Sequence, residues 1–547
     1  MKALIVDGYV DEPALLGVPP YLSPHPRYCF GVFRYFNVDT EYLTIDQLRE
    51  KENWKFLNEF DYLLIIAGLS VPGRYLGGIP INLYEINKIS IEADKPIKMI
   101  AGPIIKGYSL HGGTKAIKTN FKKFDHVISV DPEVYIYELL SGERVENRYE
   151  LIRKITPYSG EILKKHPYFP YTMCELELSR GCDKEVACSF CTEPMFYGRV
   201  SSRKVEDIVM EVEYLYKSGA RYFRFGRVSN ILAYGSDFNN LTPEPLKVQE
   251  LYSGVKEAAP DLKVLHTDNA NPWYLMRHKN ESVKILQTIV KYNTPGDVLS
   301  FGVESFDKTV LRLNKNEENP EVVIEAINIV NQIGGKRLDG VPKLLPGINL
   351  LLGLLGETTG TYEINLQYLR KILDMGLLLR RINIRQIMAF PGTKYYMKTN
   401  GKIKLNRKLF ERFKNDVRKN IDYEMLKKVF PFGTLLKEVI VEQRKGDLNF
   451  GRQIGTYPIL VVFRGNYNRF EPLNIVVVNH GYKSVTGIVH PKSINTVSYK
   501  ELIGIEGIGK ARAEKIILNR PFENWEKIYE VIGDNKVYDE LKLIFTL

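Results

Sequence analysis

Six short apolar segments recur along the middle of the chain, and helical patterns lie between most of them. The segments are Glu175–Ser179, Tyr222–Phe225, Lys263–His266, Val298–Val303, Ile348–Leu352 and Ile382–Met388. The clearest helical pattern repeats apolar residues at i, i+3, i+4 and i+7 from Val205 to Tyr216, and Gly219 follows it where a helix-ending glycine is expected. Six β/α repeats predict an α/β fold with a parallel barrel or part-barrel. In such barrels the site lies at the carboxyl ends of the strands.

The first 150 residues have the pattern of a separate, doubly wound α/β domain. Its strand candidates are Ala3–Val6, Tyr62–Ala67, Ile97–Ala101 and His126–Val130. The run Leu16–Gly31 is rich in Pro, Tyr and Gly and is too long for a tight connection, so we interpret it as a lid or interface loop. Residues 151–172 are interpreted as a linker that leads into the barrel domain, residues 173–400.

The chain changes character after residue 400. Residues 401–440 are charged and predict a helical extension, and residues 498–547 return to helix. Between them, residues 441–497 contain the β-branched segments Ile459–Phe463 and Ile475–Val478, with Gly, Asn and Tyr at the turns. This pattern predicts a small β-module. A chain of 547 residues is long enough for this number of domains.

The sequence lacks the marks of export. It has no run of about 18 apolar residues, the length of a transmembrane helix. Its start, MKALIVDGYVDEP, has the pattern of a first β-strand and not that of a signal peptide. With only five cysteines in 547 residues, we expect a cytoplasmic protein with reduced thiols.

Three of the five cysteines lie within ten residues, in the run SRGCDKEVACSFC. Cys182, Cys188 and Cys191 at this spacing predict a metal or iron–sulfur site. A closed structural zinc site needs four ligands, so three thiolates leave one position open. The alternative is a zinc knuckle completed by His266 or another residue. Cys29 and Cys174 are interpreted as buried free thiols.

The cysteine run and four later segments resemble the radical S-adenosylmethionine (SAM) superfamily. The Arg-Gly-Cys opening and the aromatic residue before the last cysteine are similar to the family motif, but C-x5-C-x2-C is two residues longer than the common C-x3-C-x2-C. The supporting segments follow in order: YFRFGR at 222–227, FGVESFDKTVLRLNK at 301–315, LLLGLLGET at 350–358 and IMAFPGT at 387–393. The run 301–315 is similar to that of the subgroup that includes methylthiotransferases.

The resemblance implies a 4Fe-4S cluster on Cys182, Cys188 and Cys191, with SAM bound at the iron that lacks a protein ligand. One electron then cleaves the sulfonium and releases a 5′-deoxyadenosyl radical. The residues that it implies for cofactor binding are Phe190, Gly226, Glu304, Ser305, Gly353, Gly356 and Phe390. It names no catalytic residue on the substrate side.

Five polar residues near the site have open interpretations. His266, Asp268 and Asn269 follow the third strand and could face the substrate, while turn duty is an equal alternative for Asp268 and Asn269. Lys184, with its neighbour Glu185, lies in the lengthened cysteine gap and is interpreted as a solvated loop charge.

The N-terminal domain resembles the cobalamin-binding domain that precedes many radical SAM barrels. The base-off signature of that family is D-x-H-x-x-G, whose histidine coordinates cobalt. This chain has Asp7-Gly8-Tyr9 there and lacks the histidine, so we interpret the domain as degenerate, with cobalamin bound without histidine as the alternative. Methylthiotransferases have a cysteine-bearing N-terminal domain. In this chain only Cys29 is available there, so that activity is disfavoured.

The C-terminal run LIGIEGIGKARAEKII resembles a helix-hairpin-helix module. The resemblance implies contacts with nucleic-acid phosphates through Gly507, Gly509, Lys510 and Arg512. Charge favours this, because residues 401–547 hold 26 Lys+Arg against 17 Asp+Glu, which is +9 of the net +11 of the chain. A protein-packing hairpin is the alternative.

These observations give three hypotheses for function. The first is radical modification of RNA, in particular tRNA. The second is radical chemistry on a small molecule or peptide, with the C-terminal module used for docking. The third is a non-catalytic iron–sulfur protein that binds nucleic acid. The expected partners are RNA or DNA and an electron donor such as ferredoxin or flavodoxin, and no membrane.

Overall fold

The N-terminal domain is a parallel five-stranded sheet with helices on both sides. The computed structural model describes residues 1–10, 16–68, 75–107, 112–237 and 241–547. The strands of this sheet are β1 (Lys2–Asp7), β3 (Asp39–Thr44), β4 (Tyr62–Ile66), β5 (Ile97–Ala101) and β6 (His126–Val127), and the short strand β2 (Tyr21–Leu22) lies outside it. The helices are α1 (Pro24–Tyr35), α2 (Ile45–Arg49), α3 (Leu83–Glu92), α4 (Pro132–Ser141) and α5 (Arg148–Ser159), with 3-10 turns at Lys55–Glu59, Pro103–Ile105 and Gly160–Lys165. The sheet order β3-β1-β4-β5-β6 confirms the doubly wound interpretation.

Two predicted irregular segments are ordered instead. The predicted lid Leu16–Gly31 contains β2 and the first two turns of α1, where Pro24 stands at a helix start that tolerates proline. The predicted linker 151–172 contains most of α5 and a 3-10 turn. Both segments pack between the two domains, since β2 pairs with the first barrel strand and α5 lies against α1.

The central domain is a part-barrel of parallel strands. Its strands are β7 (Met173–Glu177), β8 (Ser179–Arg180), β9 (Ser201–Ser202), β10 (Tyr222–Gly226), β11 (Val264–His266), β12 (Asn269–Ala270), β13 (Asp297–Glu304), β14 (Arg337–Leu338), β15 (Val341–Pro342), β16 (Leu344–Leu352) and β17 (Arg381–Gln386). Its helices are α6 (Glu193–Tyr197), α7 (Val205–Lys217), α8 (Pro245–Ala258), α9 (Pro272–Arg277), α10 (Lys279–Tyr292), α11 (Lys308–Lys315), α12 (Glu321–Gly334), α13 (Thr359–Asp374) and α14 (Lys394–Thr399), with a 3-10 turn at Ile231–Ala233.

All six predicted barrel strands are present, in two sheets of order β11-β10-β7-β2 and β12-β13-β16-β17. The two sheets meet where the Ser300 N–H donates to the carbonyl of Asp268 at 3.0 Å. Alternate residues of each strand face the barrel helices or the interior. Phe223 and Phe225 of β10, for example, join the apolar core, while Arg224 points inward. The carboxyl ends of the strands therefore form one open mouth.

Beyond the barrel lie a helical extension, a small closed barrel and two helical hairpins. The extension contains α15 (Arg407–Val417), a π-helical turn at Arg418–Asp422 and α16 (Tyr423–Val429). The β-module contains β18 (Leu435–Lys445), β19 (Leu448–Arg452), β20 (Leu460–Arg464), β21 (Pro472–His480) and β22 (Ser484–Val489), closed in the order β18-β19-β20-β22-β21. It begins at Leu435, six residues before the predicted boundary. The hairpins are formed by α17 (Tyr499–Leu502), α18 (Lys510–Leu518), α19 (Trp525–Ile532) and α20 (Asn535–Ile544).

A buried ion pair joins the N-terminal domain to the barrel. Arg27 of α1 contacts Glu211 of α7 at 3.0 Å, and Arg203 contacts the other carboxylate oxygen at 2.7 Å. All three side chains are fully buried. Moving α1 away would leave a buried charge without its partner, which is strongly unfavourable, so the docking is fixed. Among the helices of the described ranges, none has the length and apolar character needed to cross a bilayer.

Candidate active site

The cysteine loop leaves the first barrel strand at the mouth. Gly181 precedes Cys182 with φ +79°, and a β-carbon there would lie 2.2 Å from the Arg199 carbonyl, so only glycine fits. The Cys182 N–H donates to the Gly198 carbonyl at 3.2 Å, and the Val200 N–H returns a hydrogen bond to the Cys182 carbonyl at 3.2 Å. The loop is therefore closed at its base, with its three thiols half-buried at the rim.

Two residues of the lengthened cysteine gap provide tethers. Asp183 is buried and accepts a hydrogen bond from Asn230, just beyond the second strand, at 2.9 Å. The Lys184 ammonium donates to the Lys315 carbonyl at 2.6 Å and pairs with Glu317 at 3.2 Å, beyond the fourth strand. The interpretation of Lys184 as a solvated charge is therefore wrong, while Glu185 is exposed as expected. The longer gap spans the mouth from the second strand to the fourth.

The second half of the loop is tied to the fourth and sixth strands. Ser189 donates its hydroxyl to Asn314 at 2.7 Å, and its carbonyl accepts from the Tyr395 N–H at 2.7 Å. Phe190 packs into an apolar cluster with Ile387 and Ala389, at the end of the sixth strand. The cysteine run and the glycine-rich segments, far apart in sequence, are thus brought together around one opening.

The three thiols of the cysteine loop suit an iron–sulfur cluster in which each thiolate binds a different iron. Burial raises the pKa of Cys182 to about 12 and also raises the pKa of Cys191, and Cys188 lies close enough to contribute to both. Such thiols become ligands by losing their protons to a bound metal. In the described part of the chain, no three His, Cys, Asp or Glu side chains converge on a single ion. A 4Fe-4S cluster does not need such convergence, because each thiolate binds a different iron.

Glu304 stands at the carboxyl end of the fourth strand. Its backbone has φ +68°, uncommon for a residue with a side chain, and follows an irregularity in the pairing of β13 with β16. Burial raises the pKa of this carboxyl, and the nearby Lys315 and Arg385 oppose the shift. Glu304 is therefore a carboxylate at the mouth with cations beside it, an arrangement suited to the amine or hydroxyls of a polar cofactor.

Two of the glycines that the resemblance implies for cofactor binding, Gly226 and Gly353, already take part in contacts within the protein. A β-carbon at Gly226 would lie 2.1 Å from Glu175 Oε2, so this glycine makes room for a barrel carboxylate. Gly353 has φ +92°, donates its N–H to Glu357 at 2.6 Å and accepts the Tyr395 hydroxyl at 2.7 Å. Its backbone groups are therefore already used within the protein.

The remaining three predicted cofactor residues lie at the edges of the mouth. Ser305 accepts the Asp307 N–H at 3.1 Å and belongs to the turn before α11. Gly356 is exposed, and a β-carbon there would meet Leu313 of α11 at 2.6 Å. Phe390 is buried, and Phe196 stands edge-on to it at 5.7 Å.

The barrel interior contains a buried ionic group that the sequence patterns did not predict. Arg224 pairs with Glu175 at 2.8 Å and with Asp268, and all three side chains are fully inaccessible. Burial raises the pKa of Glu175 to about 8 and that of Asp268 to about 6, against the opposing charge of Arg224. Asp268 therefore pairs inside the barrel and does not take the alternative turn role.

His266 does not face the mouth freely. Its Nδ1 accepts the Thr456 N–H of the β-module at 2.8 Å, and its Nε2 lies 3.2 Å from the Pro295 carbonyl. Burial lowers the pKa of this imidazole, so it is neutral. Both ring nitrogens are occupied, which removes His266 as the fourth ligand of the alternative zinc site.

Replacing Asn230 by alanine is expected to loosen the cysteine loop. Asn230 donates to Asp183 and accepts the N–H groups of Leu232 and Asn271, at 3.3 and 3.2 Å. Their loss leaves a buried carboxylate without this donor and should lower the free energy of unfolding by about 1–3 kcal/mol. We expect Asn230→Ala to retain less iron after gel filtration than the wild type.

The matched control is Asn58→Ala. Asn58 also makes several backbone hydrogen bonds, to Glu92, Asp94 and Lys95, but in the N-terminal domain. This variant should lose stability and keep its iron. Equal iron retention in the two variants would contradict the tether.

The family model of the radical SAM superfamily matches residues 176–369, from β7 into α13. An uncharacterized protein of Methanocaldococcus jannaschii is 42% identical over 507 residues, which are 89% of this chain and 93% of that protein. Another from Archaeoglobus fulgidus is 38% identical over 549 residues, 99% of both chains. The chain belongs to the radical SAM superfamily. It is therefore an enzyme whose cofactors are a 4Fe-4S cluster and SAM.

Other similar proteins carry more specific names. The ribosomal protein uS12 methylthiotransferase RimO of Thermoanaerobacter sp. is 29% identical over 300 residues, 53% of this chain and 59% of that enzyme. The tRNA-2-methylthio-N(6)-dimethylallyladenosine synthase of Malacoplasma penetrans is 24% identical over 261 residues, 47% and 48%. The solved structure of OxsB, a cobalamin-dependent radical SAM enzyme, aligns with 75% of this chain and with 56% of the OxsB chain. The sequence identity is 13% and the TM-score is 0.48.

Proposed function

We propose that this enzyme modifies RNA, tRNA in particular, by radical SAM chemistry. The observation that carries the proposal is the closed five-stranded β-module attached to the catalytic barrel. Four of its five strand pairings are antiparallel: β18 with β19, β19 with β20, β18 with β21 and β21 with β22. The fifth, β20 with β22, is parallel. This is the strand order of an OB-fold, a barrel that binds oligonucleotides on its second and third strands and on two loops.

Two further observations support RNA. Most of the net positive charge lies C-terminal to the catalytic barrel, which suits a polyanion partner. One of the similar proteins is named for a tRNA base. Another is named for a ribosomal protein, which favours a polypeptide as the second candidate substrate.

In the proposed site, Cys182, Cys188 and Cys191 hold the cluster. A reduced cluster bound there would supply the one electron for cleavage of SAM to methionine and a 5′-deoxyadenosyl radical. The tethers through Asp183, Lys184 and Ser189 keep the cysteine loop in place while the substrate comes and goes. Glu304 is proposed to bind the SAM amine or ribose at the mouth.

The edge of the mouth is proposed to be closed by the N-terminal domain. A β-carbon at Gly107 would lie 2.9 Å from the Phe390 ring, and the Lys106 ammonium lies 3.0 Å from the Tyr197 hydroxyl. This packing limits water at a site where a radical must be protected.

The same domain has other contacts where the cobalt signature would stand. The Tyr9 hydroxyl donates to Asp46 at 2.7 Å, and Asp7 accepts the Tyr42 hydroxyl at 2.9 Å. Asp7 and Tyr9 are thus engaged within the domain. We propose that the domain closes the barrel and does not ligate cobalt through these residues.

The test is SAM cleavage by the reconstituted enzyme under anaerobic reduction, with and without bulk tRNA. A chemical reductant replaces the electron donor protein, so that the result does not depend on finding one. We expect tRNA to increase the rate at which 5′-deoxyadenosine forms, and mass spectrometry of the digested tRNA to show a new nucleoside. Cleavage that tRNA leaves unchanged, but that ribosomal proteins stimulate, would favour the polypeptide substrate.

A further inference from the structure

The segment that leaves the catalytic barrel is strongly basic. Residues 394–419 contain ten Lys or Arg and only two acidic residues. We call these cations the basic strip: Lys394, Lys398, Lys402, Lys404, Arg407, Lys408, Arg412, Lys414, Arg418 and Lys419. Eight of the ten are exposed. Arg412 and Lys414 pair with acids of their own helix, and the other eight form no ion pair with any described residue.

The strip begins at the mouth of the catalytic barrel. The Tyr395 N–H is bound by Ser189 of the cysteine loop, which places α14 beside the cluster site. Ile403 packs against Gly353 at the end of the fifth strand, and Leu405 packs against Gly113 of the N-terminal domain. Lysines 394 to 404 therefore line the rim where a substrate enters.

The middle of the strip is one face of a helix. Phe410, Phe413 and Val417 of α15 are buried against the barrel helices, at the i, i+3, i+7 spacing of one helix side. The opposite side carries Lys408 and Arg412 into solvent. Eleven residues of α-helix span about 16 Å.

The strip ends at the loop between β21 and β22. Tyr423 of α16 stands edge-on to Tyr482 of that loop, with ring centres 5.6 Å apart, and Tyr482 is half exposed. Burial lowers the pKa of Lys483, the charges of Arg418, Arg381 and Lys414 lower it further, and the charge of Asp422 opposes the shift, so four cations and one acidic residue lie close together. The loop between the fourth and fifth strands is one of the two that OB-folds use for oligonucleotides.

The C-terminal hairpins lack this excess of positive charge. Residues 498–547 contain eight Lys or Arg against nine Asp or Glu. Arg512, predicted as a phosphate ligand, pairs with Asp534 at 2.8 Å and donates to the Gly507 carbonyl at 2.8 Å, so it joins the two hairpins. Glu506 is exposed in the same turn. Gly507, Gly509 and Lys510 are also exposed in this turn. We expect them to contribute less to phosphate binding than the basic strip does.

We propose that the basic strip holds the RNA backbone and leads it from the β21–β22 loop to the mouth of the catalytic barrel. This inference rests on the proposed function and names its surface. The cations of the strip that form no ion pair suit phosphates, and the exposed Tyr482 offers a base a ring to stack on. An acidic protein would need complementary carboxylates and would not need this ring.

The test compares two charge-matched variants in tRNA binding. The strip variant is K402Q/K404Q/R407Q/K408Q, and the control is K510Q/K515Q/K536Q/K542Q on the hairpins. Each removes four exposed positive charges. Between about 50 and 200 mM salt, we expect the strip variant to lower the slope of log affinity against log salt by about 3 to 4, and the control to lower it by less than about 1.

Other outcomes separate the two proposals. Both variants must cleave SAM without RNA at the wild-type rate, which shows that the site is intact. If the control variant loses the salt dependence of tRNA affinity and the strip variant keeps it, the proposed role of the basic strip is wrong, while the proposal of RNA modification still holds. If wild-type enzyme shows no salt-dependent affinity for tRNA, the proposed function itself fails. Tighter binding of polyglutamate than of tRNA would assign the strip to an acidic protein.

Discussion

Replacement of Cys188 by alanine is expected to abolish SAM cleavage and to reduce the bound iron from about four atoms per chain to a small fraction of that. Two thiolates cannot hold a cluster that needs three protein ligands and leaves one iron for SAM. The same result is expected for Cys182 and Cys191. Iron analysis, the absorbance of the cluster and assay of 5′-deoxyadenosine measure the effect.

Cys174→Ala is the matched control for this loss. Cys174 lies on the first barrel strand, fully buried, and burial raises the pKa of its thiol to about 12. This variant should keep both iron and activity, since a buried thiol of this kind is inert. The loop tethers do not depend on thiols, so Cys188→Ala should also keep its circular dichroism spectrum and the affinity for tRNA that we propose. A Cys188→Ala enzyme that still cleaves SAM would contradict the assignment.

The sequence predicted the buried strands well and the polar edges poorly. The six barrel strands each carry apolar residues that join the buried core, and their predicted limits differ from the observed ones by a few residues. Strand β3 was missed because Asp39–Thr44 alternates exposed polar residues with buried ones at a sheet edge. Helix α1 was missed because its Pro, Tyr and Gly composition is typical of a loop, whereas packing between two domains decides its structure.

The candidate site shows the same difference between features that lie in a short run of chain and contacts that only the fold creates. The cysteines and glycines could be singled out in the sequence because each lies in a short run of chain, and their roles in cofactor binding stay predictions. The tethers could not be, because Lys184 and Glu317 are 133 residues apart and only the fold brings them together. The function of His266 was misjudged for a related reason, since its partner Thr456 is 190 residues away in the β-module. Contacts between domains leave no periodic signal in the sequence.

Replacement of Arg224 by methionine is expected to lower the free energy of unfolding by about 3–5 kcal/mol. Arg224 is the cation between two fully buried carboxyl groups, Glu175 and Asp268, and its removal leaves them facing each other in the barrel. Urea unfolding followed by circular dichroism measures the loss. The control is Arg221→Met, because Arg221 is half-buried, stacks on Tyr216 at 4.0 Å and donates to backbone carbonyls, so about 1 kcal/mol is expected there.

The dependence of this effect on pH distinguishes charge from packing. A carboxyl whose pKa is higher in the folded than in the unfolded state loses stability as the pH rises between those two values. Burial already raises the pKa of Glu175 to about 8 and that of Asp268 to about 6, and without Arg224 both should rise further. The difference between Arg224→Met and wild type should therefore be small near about pH 5, where the carboxyls are protonated in the variant, and should grow toward about pH 8.5. The triple variant R224M/E175Q/D268N removes every charge of the group and should recover most of the stability at high pH. A penalty independent of pH, unchanged in the triple variant, would mean that Arg224 stabilises the barrel by filling space and not by its charge.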